Sequence, residues 1–227
     1  MKRAAQAGMT LMEVMISTAV LVIMMALAWK TIVNTSSSRK TFESFEQTNH
    51  EIRMAMGRVV ADFEAAYLSR NEDMNASHPR TMMVAKSGSK IPDIHFSTLA
   101  HRVLWSDANE CEQTVIWYMA RNDPEHAGVV DWVRREQRRP SNMPPEEEPS
   151  EYDVLIHDIQ SVKIEFWNWK NLEWQEEWDT TQSDGQRGML PSRVRITLTV
   201  KAPDGHDIKL TTQARILMQE PLNFSPT

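Results

Sequence analysis

The sequence predicts an α+β protein in which one long N-terminal helix, its first half membrane-spanning, packs on an antiparallel β-sheet domain. Three observations predict it. Val14 to Trp29 carries no charge, and only Ser17 and Thr18 are polar within it. From Phe42 to Tyr67 the apolar residues recur mostly at three- and four-residue steps, the spacing of an amphipathic helix. Beyond about residue 80 the pattern changes to short runs that are β-branched and aromatic or alternate apolar with polar, with turn residues between.

Residues 1–8 form a short basic leader with Lys2 and Arg3, ending in Ala7-Gly8. Residues 9–33 follow as the anchor. Leu11 to Val33, read as one helix at ~1.5 Å per residue, crosses a hydrocarbon core of ~30 Å. Lys2 and Arg3 ahead of the span predict that this end stays cytoplasmic and that everything after Val33 is exported. Glu13 is the anomaly. An unpaired carboxylate costs roughly 2.5–3.5 kcal/mol at the centre of a membrane helix, so something must compensate. If the chain is cut after Gly8, Met9 gains a free amine four residues before Glu13. Residues four apart share a helix face, so amine and carboxylate can pair within one chain or between neighbours.

Residues alone leave other readings of this segment open. A plain single-span anchor leaves Glu13 unexplained. An ordinary secretory signal peptide would use Ala26-Leu27-Ala28 as a small-x-small cleavage site, but its apolar stretch would then begin with a carboxylate, and the helical pattern continues past Trp29. A buried soluble helix is the third.

Residues 34–70 turn polar while keeping the helical period through Phe42, Phe45, Ile52, Met56, Val59, Phe63 and Tyr67, and no proline occurs before Pro79. One helix from about Leu11 to about Tyr67 is expected, roughly 85 Å long at 1.5 Å per residue. In residues 71–220, Val115 to Tyr118 and Val129 to Val133 read as strands. Val162 to Phe166 and Val194 to Val200 alternate as half-buried strands do. Pro203-Asp204-Gly205 makes a turn, and Ile208 to Leu217 returns as a hairpin. Pro140 to Pro149 has no period and reads as a loop, and 221–227 as a tail.

A net charge of −6 argues against a nucleic-acid partner, which needs clustered Lys and Arg. Arg134-Arg135 with Arg138-Arg139 surrounds Glu136 and reads as a solvated strand edge or loop. The single Cys111 excludes an intrachain disulfide and, ahead of an apolar strand, reads as a buried inert thiol. No glycine-rich phosphate loop, zinc-binding His/Cys spacing or Gly-x-Ser-x-Gly elbow occurs, so no catalytic residue is expected and the chain reads as a non-enzyme. Glu176, Asp179 and Asp184, in a loop ending at Gly185, offer hard oxygen ligands for Ca²⁺. Their spacing is not that of an EF-hand, and a solvated loop with no cofactor is the first reading. Trp167 and Trp169 share a strand face, with Trp174 and Trp178 after a turn. Core and subunit interface come before a sugar-stacking platform.

Gly8-Met9-Thr10-Leu11-Met12-Glu13-Val14 and the apolar run behind it resemble the class III signal of type IV pilins and type II secretion pseudopilins. The resemblance implies a pilin-like fold, cleavage between Gly8 and Met9 by a prepilin peptidase, and N-methylation of Met9. It also implies that Glu13 sets axial register against a neighbour's N-terminus. The family usually begins its mature chain with Phe, where this sequence has Met9.

A second resemblance lies in Val154-Leu155-Ile156, Val162 to Trp167, Trp174, Trp178 and Leu190-Pro191-Ser192-Arg193-Val194-Arg195-Ile196-Thr197-Leu198. That order is similar to the J-type minor pseudopilins of type II secretion. Together the two resemblances cover residues 1–70 and about 150–215. They imply a single-pass inner-membrane protein with its β-rich domain in the periplasm, part of the tip complex that starts the pseudopilus. The implied partners are prepilin peptidase, other minor and major pseudopilins, and the inner-membrane secretion platform. A minor pilin of a type IV pilus shares the same N-terminus, and an exported binding module with an ordinary signal peptide is the reading from another class.

Overall fold

The computed structural model describes residues 9–72, 79–87, 90–105, 107–108, 110–138 and 152–224. One helix, α1, runs Leu11–Glu64. Two compact units divide the chain between Gln47 and Thr48, so α1 contributes to both.

In the first unit the helix starts at a cap. The Thr10 hydroxyl oxygen accepts the N–H of Glu13 at 3.3 Å, and the Thr10 carbonyl accepts the N–H groups of Glu13 and Val14. A Thr three residues before a Glu is the spacing of a capping box. The few polar side chains further along are satisfied within the helix. Ser17 donates to the Glu13 carbonyl at 2.7 Å, Thr18 to that of Val14 and Thr31 to that of Leu27. In an apolar solvent no other partner would be at hand.

The second unit pairs the rest of α1 with ten strands. These are β1 (Met83–Lys86), β2 (Asp93–Thr98), β3 (Thr114–Asn122), β4 (Val130–Gln137), β5 (Tyr152–Ile156), β6 (Ile159–Asn168), β7 (Glu173–Gln175), β8 (Trp178–Asp179), β9 (Arg193–Lys201) and β10 (Asp207–Arg215). One sheet has the order β5-β4-β3-β2-β1-β8 and the other β10-β9-β6-β7, with every pairing antiparallel. Ile52, Ala55, Val59 and Phe63 form the buried face of α1, at the steps that place side chains one above another. Phe63 stacks on Phe96 of β2 with centroids 4.4 Å apart. Tyr118 and Trp132 continue the aromatic layer, while Phe166, Trp178, Leu190 and Leu198 are buried in the same core cluster.

The expected strands at 115–118, 162–166 and 194–200 lie within β3, β6 and β9, that at 129–133 begins one residue ahead of β4, and the hairpin turns at Gly205, whose φ of +87° suits a residue without Cβ. Several expectations need correction. The helix ends at Glu64, not near Tyr67, because the backbone there joins the sheet. Ala66 bridges Thr98 and the Tyr67 N–H donates to the Ser97 carbonyl at 3.1 Å. Strand β10 stops at Arg215, short of Leu217. Phe42 is exposed rather than part of the covered stripe. Trp169 does not share a strand face with Trp167, because β6 ends at Asn168 and Trp169 sits in the turn, donating to the Leu190 carbonyl. Cys111 is half-buried, its thiol directed at the Gln113 carbonyl. The expected loop at 140–149 and the leader at 1–8 lie outside the described residues.

The largest correction concerns the arginines. Arg134 and Arg135 are 1% and 6% exposed on β4, a strand paired on both sides within the six-stranded sheet, where a solvated strand edge or loop was expected. Arg134 is compensated by carboxylates. Arg135 lies over the rings of Trp117 and Tyr152, 5.5 and 5.7 Å from their centroids, so flat aromatic faces cover its planar cation.

Candidate assembly site on the N-terminal helix

Every residue from Leu11 to Val33 is exposed, although nearly all are apolar. Large exposed apolar surfaces mark contacts with membranes or other proteins. Among the described residues, α1 is the helix long and apolar enough to cross a membrane. Glu13 is the only charged residue between Met9 and Trp29, and it lies in the first turn. There the partial positive charge of unsatisfied N–H groups favours an anion. The helix thus presents one carboxylate at its tip and an uninterrupted apolar surface behind it. Gly8, on the other side of the expected cut, lies outside the described residues.

In the second unit a charge network fixes the last turns of α1. Asp62 is fully buried, and its carboxylate accepts from the Nε of Arg134 at 2.7 Å and from the Tyr118 hydroxyl. Arg58 approaches from the preceding turn at 3.6 Å. Arg134 also donates to Glu136 at 2.8 Å. The two ring nitrogens of His101 meet Glu136 at 2.7 Å and Glu110 at 3.0 Å, and Glu110 accepts from Arg138 at 2.6 Å. Burial alone would lower the pKa of Arg134, but the hydrogen bonds and charge of Asp62 outweigh it and push it up. Burial, then the Asp62 charge, raise that of Tyr118. For Glu136, burial acts upward but Arg134 and then His101 outweigh it, holding the carboxyl below its ordinary range.

Sequence reasoning missed this network. One signal was present: Asp62 follows Val59 by three, which places an acid inside the apolar stripe. The strand partners Tyr118, Arg134 and Glu136 are brought to it only by the β3·β4 register, in which Tyr118 faces Arg134.

Of the candidate calcium ligands, Glu176 lies apart from the other two. Glu176 pairs with Lys163 at 2.7 Å, and Asp179 accepts from the backbone and hydroxyl of Thr181 at 2.8 and 2.6 Å. Asp179 and Asp184 line a hollow of about 260 Å³ that does not include Glu176. Of the tryptophans, Trp178 is buried in the core and donates to the Met189 carbonyl. Trp167 and Trp174 face each other across β6 and β7 with centroids 5.2 Å apart, and Arg195 lies 3.9 Å over Trp174.

The profile of type II secretion system protein J matches residues 30–208, and that of the prokaryotic N-terminal methylation motif matches residues 3–29. A chain of the GspK–GspI–GspJ complex from the enterotoxigenic Escherichia coli type 2 secretion system is 16% identical. That likeness covers 74% of this chain and 97% of the other, with a TM-score of 0.48. No curated protein matches the sequence. A methylation motif, an exposed apolar helix behind it and a J-family profile over most of the remaining chain lead to one assignment: the chain belongs to the type II secretion system protein J family and is a minor pseudopilin.

Proposed function

We propose that this minor pseudopilin is cut between Gly8 and Met9 by a prepilin peptidase, methylated on the Met9 amine, and drawn from the inner membrane into the tip complex that starts the pseudopilus. Residues 1–8 are then the leader, 9–33 the membrane part of the helix, 34–70 its amphipathic part and 71–220 the periplasmic domain. Glu13 sets axial position by pairing with a Met9 amine, its own or a neighbour's. The carrying observation is the lone carboxylate at the tip of a wholly exposed apolar helix, in a chain with a methylation motif. Desolvating that charge is costly unless a cation meets it, and cleavage creates one.

The periplasmic domain acts by binding neighbours. Other minor pseudopilins are the expected partners, as in the complex of the relative, followed by the major pseudopilin and the inner-membrane platform. Leu104 and Trp105, 79% and 76% exposed on the segment between β2 and β3, support an interface role there. Asp62, Arg134 and Glu136 are held against one another in the fold, which supports a mechanical rather than a catalytic part in export.

The mass of the mature chain from bacterial membranes tests this reading. A chain starting at Met9 and carrying one methyl group is expected. Retention of residues 1–8, or a start at Trp29 after Ala28, would overturn it.

A further inference from the structure

Two turns at the same end of the six-stranded sheet bring metal-ligating side chains together. Asp123 and His126 lie in the turn between β3 and β4, Asp131 is the second residue of β4, and His157 follows β5. Pairing of Val130 with Asn122 and of Trp132 with Ile156 makes these turns neighbours. Two imidazole–carboxylate couples result. His126 Nδ1 is 2.9 Å from Asp123 Oδ2, and His157 Nδ1 is 3.3 Å from Asp131 Oδ1. Ligand atoms of Asp123, Asp131 and His157 all fall within 4.8 Å of one another. All four residues line one hollow of about 540 Å³. An ion pair would account for each couple by itself. The Oδ1 of Asp131, a residue 5% exposed, also accepts the Asp158 N–H at 3.2 Å, but neither contact accounts for its reaching the same hollow as a second couple from another turn.

We propose that Asp123, Asp131 and His157 bind one divalent transition-metal ion, Zn²⁺ by donor type, with His126 as the fourth ligand. A tetrahedral zinc with ligands at ~2.0–2.2 Å has ligand–ligand edges of about 3.3–3.5 Å. The His157–Asp131 couple, at 3.3 Å, already sits at that length, and the His126–Asp123 couple, at 2.9 Å, would open slightly to reach it. His126 and His157, whose side chains are 69% and 67% exposed, have room to turn toward the ion, and the Asp123 turn would draw in toward Asp131 to complete the set. Two imidazoles disfavour Ca²⁺ and Mg²⁺, which take oxygen ligands. Two carboxylates neutralise the ion. The bound metal would staple the β3–β4 turn to the β5–β6 turn.

The test is zinc titration of the untagged, detergent-solubilised full chain against a competing chromophoric chelator, with native mass spectrometry for stoichiometry. One equivalent is expected to bind at micromolar zinc. His126→Ala and His157→Ala, both at exposed positions, are each expected to weaken binding at least tenfold. Zinc is expected to raise the thermal midpoint of the parent chain and not that of His157→Ala. Failure to bind at micromolar zinc would overturn the proposal. So would binding that both substitutions leave unchanged, or equal affinity for Ca²⁺.

Discussion

Arg134 of β4 and Asp62 of α1 meet with Nε 2.7 Å from Oδ2, at 1% and 0% side-chain exposure. This pair ties the end of the helix to β4 of the six-stranded sheet, and its charges have no water to fall back on. Removing Asp62 leaves buried Arg134 with Glu136 as its close carboxylate, and removing Arg134 leaves Asp62 with the Tyr118 hydroxyl and Arg58 at 3.6 Å, so each loss approaches the roughly 3–5 kcal/mol of a broken buried pair. Asp62→Ala and Arg134→Met are therefore each expected to lower the thermal midpoint of the solubilised chain markedly. The double variant is expected to be less destabilised than the sum, because the two fully buried charges leave together. Additive losses in a double-mutant cycle would show that the two do not act as a pair.

Glu136 gives the network a pH dependence of known sign. Its carboxyl is held below the ordinary 4.5 in the folded chain by Arg134 and His101, against the upward pull of burial. Between the folded and unfolded values the unfolded chain binds more protons, so stability rises with pH across that window. The contribution is complete above about pH 4.5 and is lost as pH falls through the lowered folded value. Glu136→Gln should flatten the acid limb of a stability–pH curve. An unchanged limb would show that Glu136 is not linked to folding.

Phe63 tests the packing on the same helix face. It is inaccessible to water and stacked on Phe96 at 4.4 Å. Truncating such a residue removes transfer energy and leaves a cavity, together about 3–5 kcal/mol. Phe63→Ala should lower the unfolding free energy of the second unit, measured in urea, by that order, whereas Phe42→Ala, at an exposed position, should leave it nearly unmoved. Similar losses at both positions would contradict the assignment of the buried face.

The contrast between Phe63 and Phe42 also shows how far the sequence could be read. Helical period and the strands with alternating or β-branched runs were legible because both signals are local. β1 and β2 were not, since Met83, Val84 and Ala85 are buried in succession, as are Phe96, Ser97 and Thr98, and strands covered on both faces lack clean alternation. Arg134 and Arg135 looked like surface charges because nothing within a few residues reveals a carboxylate from α1 or the rings of Trp117 and Tyr152. The His157–Asp131 and His126–Asp123 couples escaped for the same reason, being assembled by strand register across separate turns. At the N-terminus the reverse held: leader, Glu13 and apolar run lie in one short stretch, so the resemblance could be seen without any tertiary information.

Glu13 has two roles that substitution can separate. It is the third helical residue behind the Thr10 cap, whose hydroxyl accepts the Glu13 N–H, and it is the anchor's only charge between Met9 and Trp29. Thr10→Ala removes the cap at a cost of about 0.5–2 kcal/mol to the helix start but leaves the carboxylate. It is expected to be processed and still to co-purify with neighbouring pseudopilins. Glu13→Ala and Glu13→Gln keep the cap and remove the charge, and both should be processed yet fail to co-purify. If Glu13→Gln assembles normally, polarity rather than charge is sufficient and pairing with a Met9 amine is excluded. Gly8→Ala acts one step earlier, at the cut itself. It should accumulate the full-length precursor in the membrane fraction, and normal processing would remove the source of the amine that Glu13 is proposed to meet.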